Sequence, residues 1–258
     1  MLSPAGLIEA LHALPPEAVW AMMLMAAYSG PLILLRLGAA AGLQVWIAVA
    51  VIAANLQVLK VVPFTLFPGP VAEGTVVFAS TFLATDLLAE HYGEAEARRG
   101  VWLGFSAHLA MTLLMLLALG YRPLSAEEAG EGLAWALPYH AHLSAIFSPA
   151  PALFVAGLVA FLASQMLDIR LFGVLRAKTG GRHLWLRNTL STITSALVDG
   201  TIFSVLAFRT FAAEPVPWDA LLRSYILGAW LQRVLLAVLD TPFMYAGGRA
   251  LPAAAARG

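Results

Sequence analysis

Seven stretches of this 258-residue chain are apolar over lengths near twenty residues: 17–36, 42–62, 74–92, 101–121, 151–172, 188–210 and 224–246. A helix needs about 20 such residues to cross about 30 Å of hydrocarbon. In lipid every backbone N–H and C=O must be satisfied within the protein, which leaves helices and closed barrels as spanning forms. The runs lack ten-residue alternation and are rich in Ala and Leu, so they read as helices. Charged residues make up 12% and hydrophobic ones 60%, against about 25% and about 45–50% in a soluble domain. The expected class is all-α, a polytopic membrane helix bundle forming one domain over 1–258.

Several functions fall away. Lys and Arg number 15, as do Asp and Glu, so the basic footprint of a nucleic-acid binder is missing. The chain has no Cys, which excludes disulfides and cysteine-based catalysis or ligation. There is no G-x-S-x-G, H-E-x-x-H or Walker-type glycine loop. His140 and His142 fall short of a metal-ligand set, and Asp86 and Asp199 lack the flanking motif of an intramembrane aspartyl protease. No enzyme, cofactor or metal is expected.

Orientation follows from the basic residues. The first run does not read as a secretory signal, because nothing positive precedes it and Arg36 follows it. With the N-terminus outside, ten Lys and Arg fall on the cytoplasmic side and four outside, with Arg233 inside a helix. That bias predicts N-out and C-in for seven spans of a cell inner membrane. The longest connection, 122–150, carries Glu127, Glu128 and Glu131 and no Lys. It reads as an external loop with a short surface helix.

Charge at membrane depth costs about 2.5–3.5 kcal/mol per residue on insertion scales, so ionisable residues there usually face a cavity or a partner. Asp86 and Glu90, four apart in TDLLAEHYG, share one helical face. They either form a helix-end cluster with Arg98 and Arg99 or contact substrate or proton. Gln165 and Asp168 share a face in SQMLDIR. Asp168 pairs with Arg170 or Arg176 in one reading and serves function in the other, with Gln165 the deeper ligand candidate. Asn188, Ser191 or Thr192, Ser195 and Asp199 draw a polar stripe along span six, with Asp199 near mid-membrane. Small hydroxyls also serve as helix–helix contacts, but a carboxylate at that depth favours a cavity. Arg233 and Asp240 lie seven apart on span seven, about 10 Å along a helix and too far for easy contact. Arg233 is therefore matched by depth to Asp199. Pro242 predicts a kink near the cytoplasmic end. Asn55 and Gln57 in AANLQ suit interhelical bonding as well as a ligand.

Carboxylates and carboxamides converging among aromatics suit a flat heterocycle with an amidine-like edge. A carboxylate accepts two parallel N–H bonds, a guanidinium or amide donates to a ring carbonyl, and an aromatic ring covers the face. Phe78, Phe82, Trp46, Trp102 and Trp230 all lie within spans.

Three blocks carry a family likeness: FLATDLLAEHYG at 82–93 with Ala97, Arg98 and Arg99; SQMLD at 164–168; and RHLWLRNTLST at 182–192 running on into SALVD at Asp199. In order and spacing they closely resemble the queuosine precursor transporter family of the vitamin-uptake transporter superfamily. The likeness runs from about Asn55 to Tyr245. It implies a six-helix core related to the substrate-binding subunits of energy-coupling-factor transporters, and uptake of the 7-deazaguanines preQ0 and preQ1. The helix at 17–36 is additional to that core, and the role of Arg233 rests on depth and charge alone.

The combined expectation is an importer working by alternating exposure of a mid-membrane site. Asn55, Gln165, Asp199 and Arg233, with Asn188 and Ser195, are the substrate-binding candidates. Asp86, Glu90, Asp168 and Asp240 are the gate or coupling candidates. The partners are the 7-deazaguanine and the lipid bilayer, with a homodimer left open. Two rivals stand beside it. One is a vitamin-binding subunit that borrows an ATPase module, with the small residues 48–54 as its docking face. The other is a non-transport membrane scaffold.

Overall fold

A computed structural model describes residues 3–65, 71–147 and 151–252. Among them, five helices are long and apolar enough to cross a membrane, and the chain is an all-α polytopic bundle. A short helix α1 (Pro4–His12), capped by the Ser3 hydroxyl, precedes α2 (Pro16–Gln57).

The 42-residue α2 is broken at Ala39, where φ is 50° and ψ −135°. For a residue with a Cβ that conformation costs on the order of 1–3 kcal/mol and persists only where packing over-determines it. Here the two arms fold back on each other. A Cβ at Gly30 would sit 2.2 Å from the Trp46 ring, and one at Gly42 would sit 1.9 Å from the Leu34 carbonyl oxygen. Sixteen residues of straight helix would hold Gly30 and Trp46 about 24 Å apart. The sequence runs 17–36 and 42–62 are thus two arms of a hairpin, the second ending in helix at Gln57 rather than at 62.

A two-residue antiparallel ribbon follows, β1 (Val61–Val62) against β2 (Val71–Ala72). It leads into α3 (Thr75–His91), the innermost helix, with 13 of its 17 residues buried. At 17 residues α3 is short for a crossing, and its Ala, Ser and Thr suit close approach by neighbours. Helix α4 (Glu94–Leu119) packs on it after a turn at Gly93 (φ 89°). The outer leucines of α4 are bare: Leu114 is 65% and Leu117 70% exposed. In water this would be a large apolar patch; in a bilayer it is the lipid face.

The connection after α4 holds α5 (Ala126–Ala129), closed by a Ser125–Glu128 capping box, and α6 (Leu137–Phe147). The expected short helix in that loop is present. Next come α7 (Pro151–Lys178) and α8 (Leu184–Val205), the latter prolonged by a π-helical turn at Leu206–Thr210. Helix α9 (Trp218–Ala220) enters a second π-helical stretch, Leu221–Gly228, and then α10 (Ala229–Leu239). The last helix, α11 (Thr241–Ala250), starts anew at Asp240, with Pro242 in its first turn. The kink expected from Pro242 is therefore a break between two helices. Proline is accommodated there because first-turn N–H groups have no intrahelical partner anyway.

Candidate functional site

The polar side chains stranded at membrane depth fall into two groups rather than one. The first lies around a cavity of about 80 Å³ lined by Asn55, Glu73, Thr75, Phe78, Asp199 and Arg233, with Gly157 and Phe203 closing its side. Five helices, α2, α3, α7, α8 and α10, and the ribbon build it. The second arm of α2 supplies Asn55, and the ribbon leads Glu73 to the rim, where its N–H donates to the Lys60 carbonyl at 2.8 Å. Gly74 allows that entry: its φ is +93°, and a Cβ there would lie 2.4 Å from the Ala54 carbonyl oxygen. Helix α8 supplies Asp199, and α10 supplies Arg233.

Arg233 Nη1 donates to Asp199 Oδ2 at 2.5 Å and to the Ala196 carbonyl at 3.1 Å. The other Asp199 oxygen accepts from Ser164 Oγ at 3.2 Å. The Asp199 side chain is 5% exposed and that of Arg233 18%, so the pair faces the cavity without being open to bulk water. The guanidinium lies 5.9 Å from the centre of the Phe78 ring, within cation–π range. Phe82 and Phe161 meet Phe78 edge-on at 5.8 and 6.1 Å and fix its plane. The Asn55 amide N–H donates to the Val51 carbonyl at 2.8 Å, and a Cβ on Gly157 would come within 2.8 Å of its Oδ1. Burial raises the Glu73 pKa above its ordinary value, and Lys60 nearby partly offsets this.

Such a pocket offers acceptors in Asp199 and Glu73, donors in Arg233, and an aromatic wall in Phe78. That inventory matches a flat heterocycle with a donor-rich edge next to a carbonyl. Of the aromatics singled out above, Phe78 alone lines it. Trp46 donates to Ser80 at 2.9 Å and Trp230 to the Ile193 carbonyl at 2.9 Å, so both hold helices together.

The second group lies deeper toward the expected cytoplasmic face. Gln165, expected beside Asn55 and Asp199, is outside the cavity. It donates to Thr81 at 2.7 Å and accepts from Thr85 at 2.9 Å, stitching α7 to α3. Asp86 and Asp168 face each other, with Ser191 and Ser195 beside Asp168. Asn188 donates to Asp240 at 2.6 Å. Asn188 and Ser195, grouped with the substrate contacts by spacing, thus belong to this second group. All of these side chains are buried.

Two ion pairs differ from the sequence reading. Glu90 pairs with Arg187 at 2.7 Å and Arg176 at 3.8 Å. Arg98 instead takes Glu94, and Arg99 takes Glu96. The i,i+4 and i,i+3 partners on α4 are simply nearer than a carboxylate on the preceding helix. Asp168 likewise has neither Arg170 nor Arg176 against it. Glu73, Ser164, Thr81 and Thr85 were not singled out from sequence. Ser164 carried a signal, since it precedes Gln165 in the quoted SQMLD block; Glu73 sits in a connection, where apolar periodicity is silent.

A family described as "Putative vitamin uptake transporter" matches residues 72–247. The chain is also similar to the "Probable queuosine precursor transporter" of Bacillus subtilis (strain 168). The two are 36% identical over 212 residues, covering 82% of this chain and 85% of that protein. No solved structure matches it.

Proposed function

The chain belongs to the vitamin uptake transporter family, and we propose that it imports queuosine precursors, 7-deazaguanines such as preQ0 and preQ1, across the cell inner membrane. The observation that carries this reading is the convergence of Asn55, Asp199 and Arg233 on one pocket walled by Phe78. In it, Asp199 accepts the ring and exocyclic N–H groups of the deazaguanine, Arg233 donates to the ring carbonyl, and Phe78 covers one face. The Arg233–Asp199 bond holds both groups in register before the base arrives, which lowers the ordering cost of binding. Glu73 at the rim faces the C7 substituent, which in preQ1 is an aminomethyl cation.

Gln165, Asn188 and Ser195 support this site from behind rather than touching the base. With seven crossings, the α2 hairpin as the first two and α3 as the third, and with the basic residues on the cytoplasmic side, the N-terminus is outside and the pocket in the outer half of the bilayer in this reading. Substrate enters from that side, and alternating access releases it to the cytoplasm. The test is the queuosine content of tRNA in a precursor-auxotrophic bacterium lacking its own importer, fed limiting preQ1, with and without this chain. Queuosine restored by this chain supports the reading; a tRNA pool that stays unmodified despite membrane-inserted protein overturns it.

A further inference from the structure

Helices α3, α7 and α8 and the α10–α11 junction enclose a set of acceptors that outnumber the donors available to them. Neither oxygen of Asp86 nor of Asp168 meets a donor in hydrogen-bond geometry, and neither does Asn188 Oδ1. Asp86, Asp168 and Asn188 are 0% exposed. Asn188 has already given an amide N–H to Asp240, and Ser191 donates to the Asn188 carbonyl at 3.2 Å. The hydroxyls of Ser195 and Thr192 lack partners too, but two donors cannot satisfy five acceptor atoms.

Nor does a cation face the group. On α3, Glu90 is held by Arg187 and Arg176. On α8, Arg187 also donates to the Gly181 and Arg182 carbonyls, and on α10 Arg233 lies on Asp199. From the helix junction comes another carboxyl, Asp240, and from α2 the Tyr28 hydroxyl, which donates to the Leu236 carbonyl at 3.1 Å. Two bare carboxylates turned toward each other without a counter-charge repel strongly in a low-dielectric interior. Buried together with no donor within reach, the two carboxyls are relieved when one of them takes up a proton, which removes a charge and supplies the missing donor.

We propose that Asp86 and Asp168 form a proton-binding dyad, and that the proton it takes up and gives back is the ion coupled to transport. This rests on the importer reading above and adds its energy source. The step is a plain proton transfer. A carboxylate oxygen of the dyad takes a proton delivered from water on the outer side and later releases it to water on the inner side, one per substrate. Helix α7 carries the link: Ser164 touches Asp199 at the pocket, Gln165 ties to Thr81 and Thr85, and Asp168 lies one turn further along. A shift of α7 that follows base binding at Asp199 therefore reaches the dyad directly.

The test uses the full chain in proteoliposomes with preQ1 and the membrane potential clamped at zero. A one-unit inward proton gradient should drive about tenfold accumulation, since a tenfold concentration ratio matches one pH unit. A protonophore should abolish it. Asp86→Asn and Asp168→Asn should bind preQ1 within about twofold of wild type and lose the response to the gradient. Uptake indifferent to the proton gradient, or driven by a sodium gradient instead, overturns the proposal. A readout free of substrate separates this from the importer reading: infrared difference spectra of purified protein should hold a protonated-carboxyl band near neutral pH that either variant removes. Absence of that band in the wild type overturns the dyad whatever the substrate proves to be, whereas a wild type that binds no deazaguanine overturns only the importer reading.

Discussion

Asp199→Asn changes one atom in the pocket and reverses the role of that atom. Turned with its oxygen toward Arg233, the amide keeps that bond as a neutral acceptor and presents its NH2 to Ser164 Oγ, which donates to the Phe161 carbonyl. Arg233 then keeps its hydrogen bonds, that to the Ala196 carbonyl included, and loses its counter-charge. Breaking a buried pair costs about 3–5 kcal/mol. Because the Arg233 side chain is 18% exposed and keeps its acceptors, about 2 kcal/mol of stability is the fitting figure. Binding suffers more than this one contact. The base loses its charged acceptor and the arginine loses its counter-charge. With a hydrogen bond to a charged group contributing about 1.5–3 kcal/mol, a loss near 3 kcal/mol, roughly a hundredfold in Kd, follows. Equilibrium binding of preQ1 to detergent-purified protein reads the affinity, and thermal unfolding reads the stability. The double variant Asp199→Asn/Arg233→Gln should recover most of the stability and none of the affinity. An Asp199→Asn protein that binds preQ1 within threefold of wild type would remove Asp199 from the contacts of the base.

Gly157→Ala places a methyl 2.8 Å from Asn55 Oδ1, so the amide must shift into the pocket; uptake should drop severalfold while thermal unfolding stays near wild type, and unaltered uptake would count against Asn55 as a contact. Glu73→Gln should weaken preQ1 by about 1 kcal/mol, roughly fivefold, as for a partly exposed ion pair, and leave the nitrile preQ0 unaffected in competition binding. Burial raises the Glu73 pKa in the folded state, so wild-type stability relative to Glu73→Gln is greatest below the unfolded value and is lost as pH rises through the folded one. Melting curves of the two proteins that stay parallel across the carboxylate range would contradict this. Arg187→Met removes a cation with a 2% exposed side chain that holds Glu90 and the Gly181 and Arg182 carbonyls; a stability loss of about 3 kcal/mol follows, checked by unfolding in detergent.

Much of the fold was legible because lipid imposes length and apolarity on any crossing helix. The places where it was not are those where neighbours override composition. The break at Ala39 was visible as the gap between the runs 17–36 and 42–62, but how closely the two arms pack depends on the glycines at 30 and 42. Helix α3 read as one span among seven yet is the buried centre, because Ala, Ser and Thr admit close contact without announcing it in hydropathy. Within the site, Asp199 and Arg233 met as expected, since depth along a helix follows from residue count and opposite charges at one depth attract. Gln165 and Asn188 did not join them. Helical spacing tells which residues share a face, but which neighbour that face meets depends on packing. Of the small residues at 48–54, read as a docking face for a partner helix, Ala50, Val51 and Ala54 are buried in the bundle, whereas Val49 is 54% exposed.

In the proposed complex the base lies between Phe78, Asp199 and Arg233. An electron cryomicroscopy structure of the protein with preQ1 examines it directly. Planar density should stack on Phe78, within hydrogen-bond distance of both Asp199 and Arg233. Density instead in the neighbouring apolar chamber of about 260 Å³ beside His108 and Phe154, with the Arg233–Asp199 pocket empty, would contradict it.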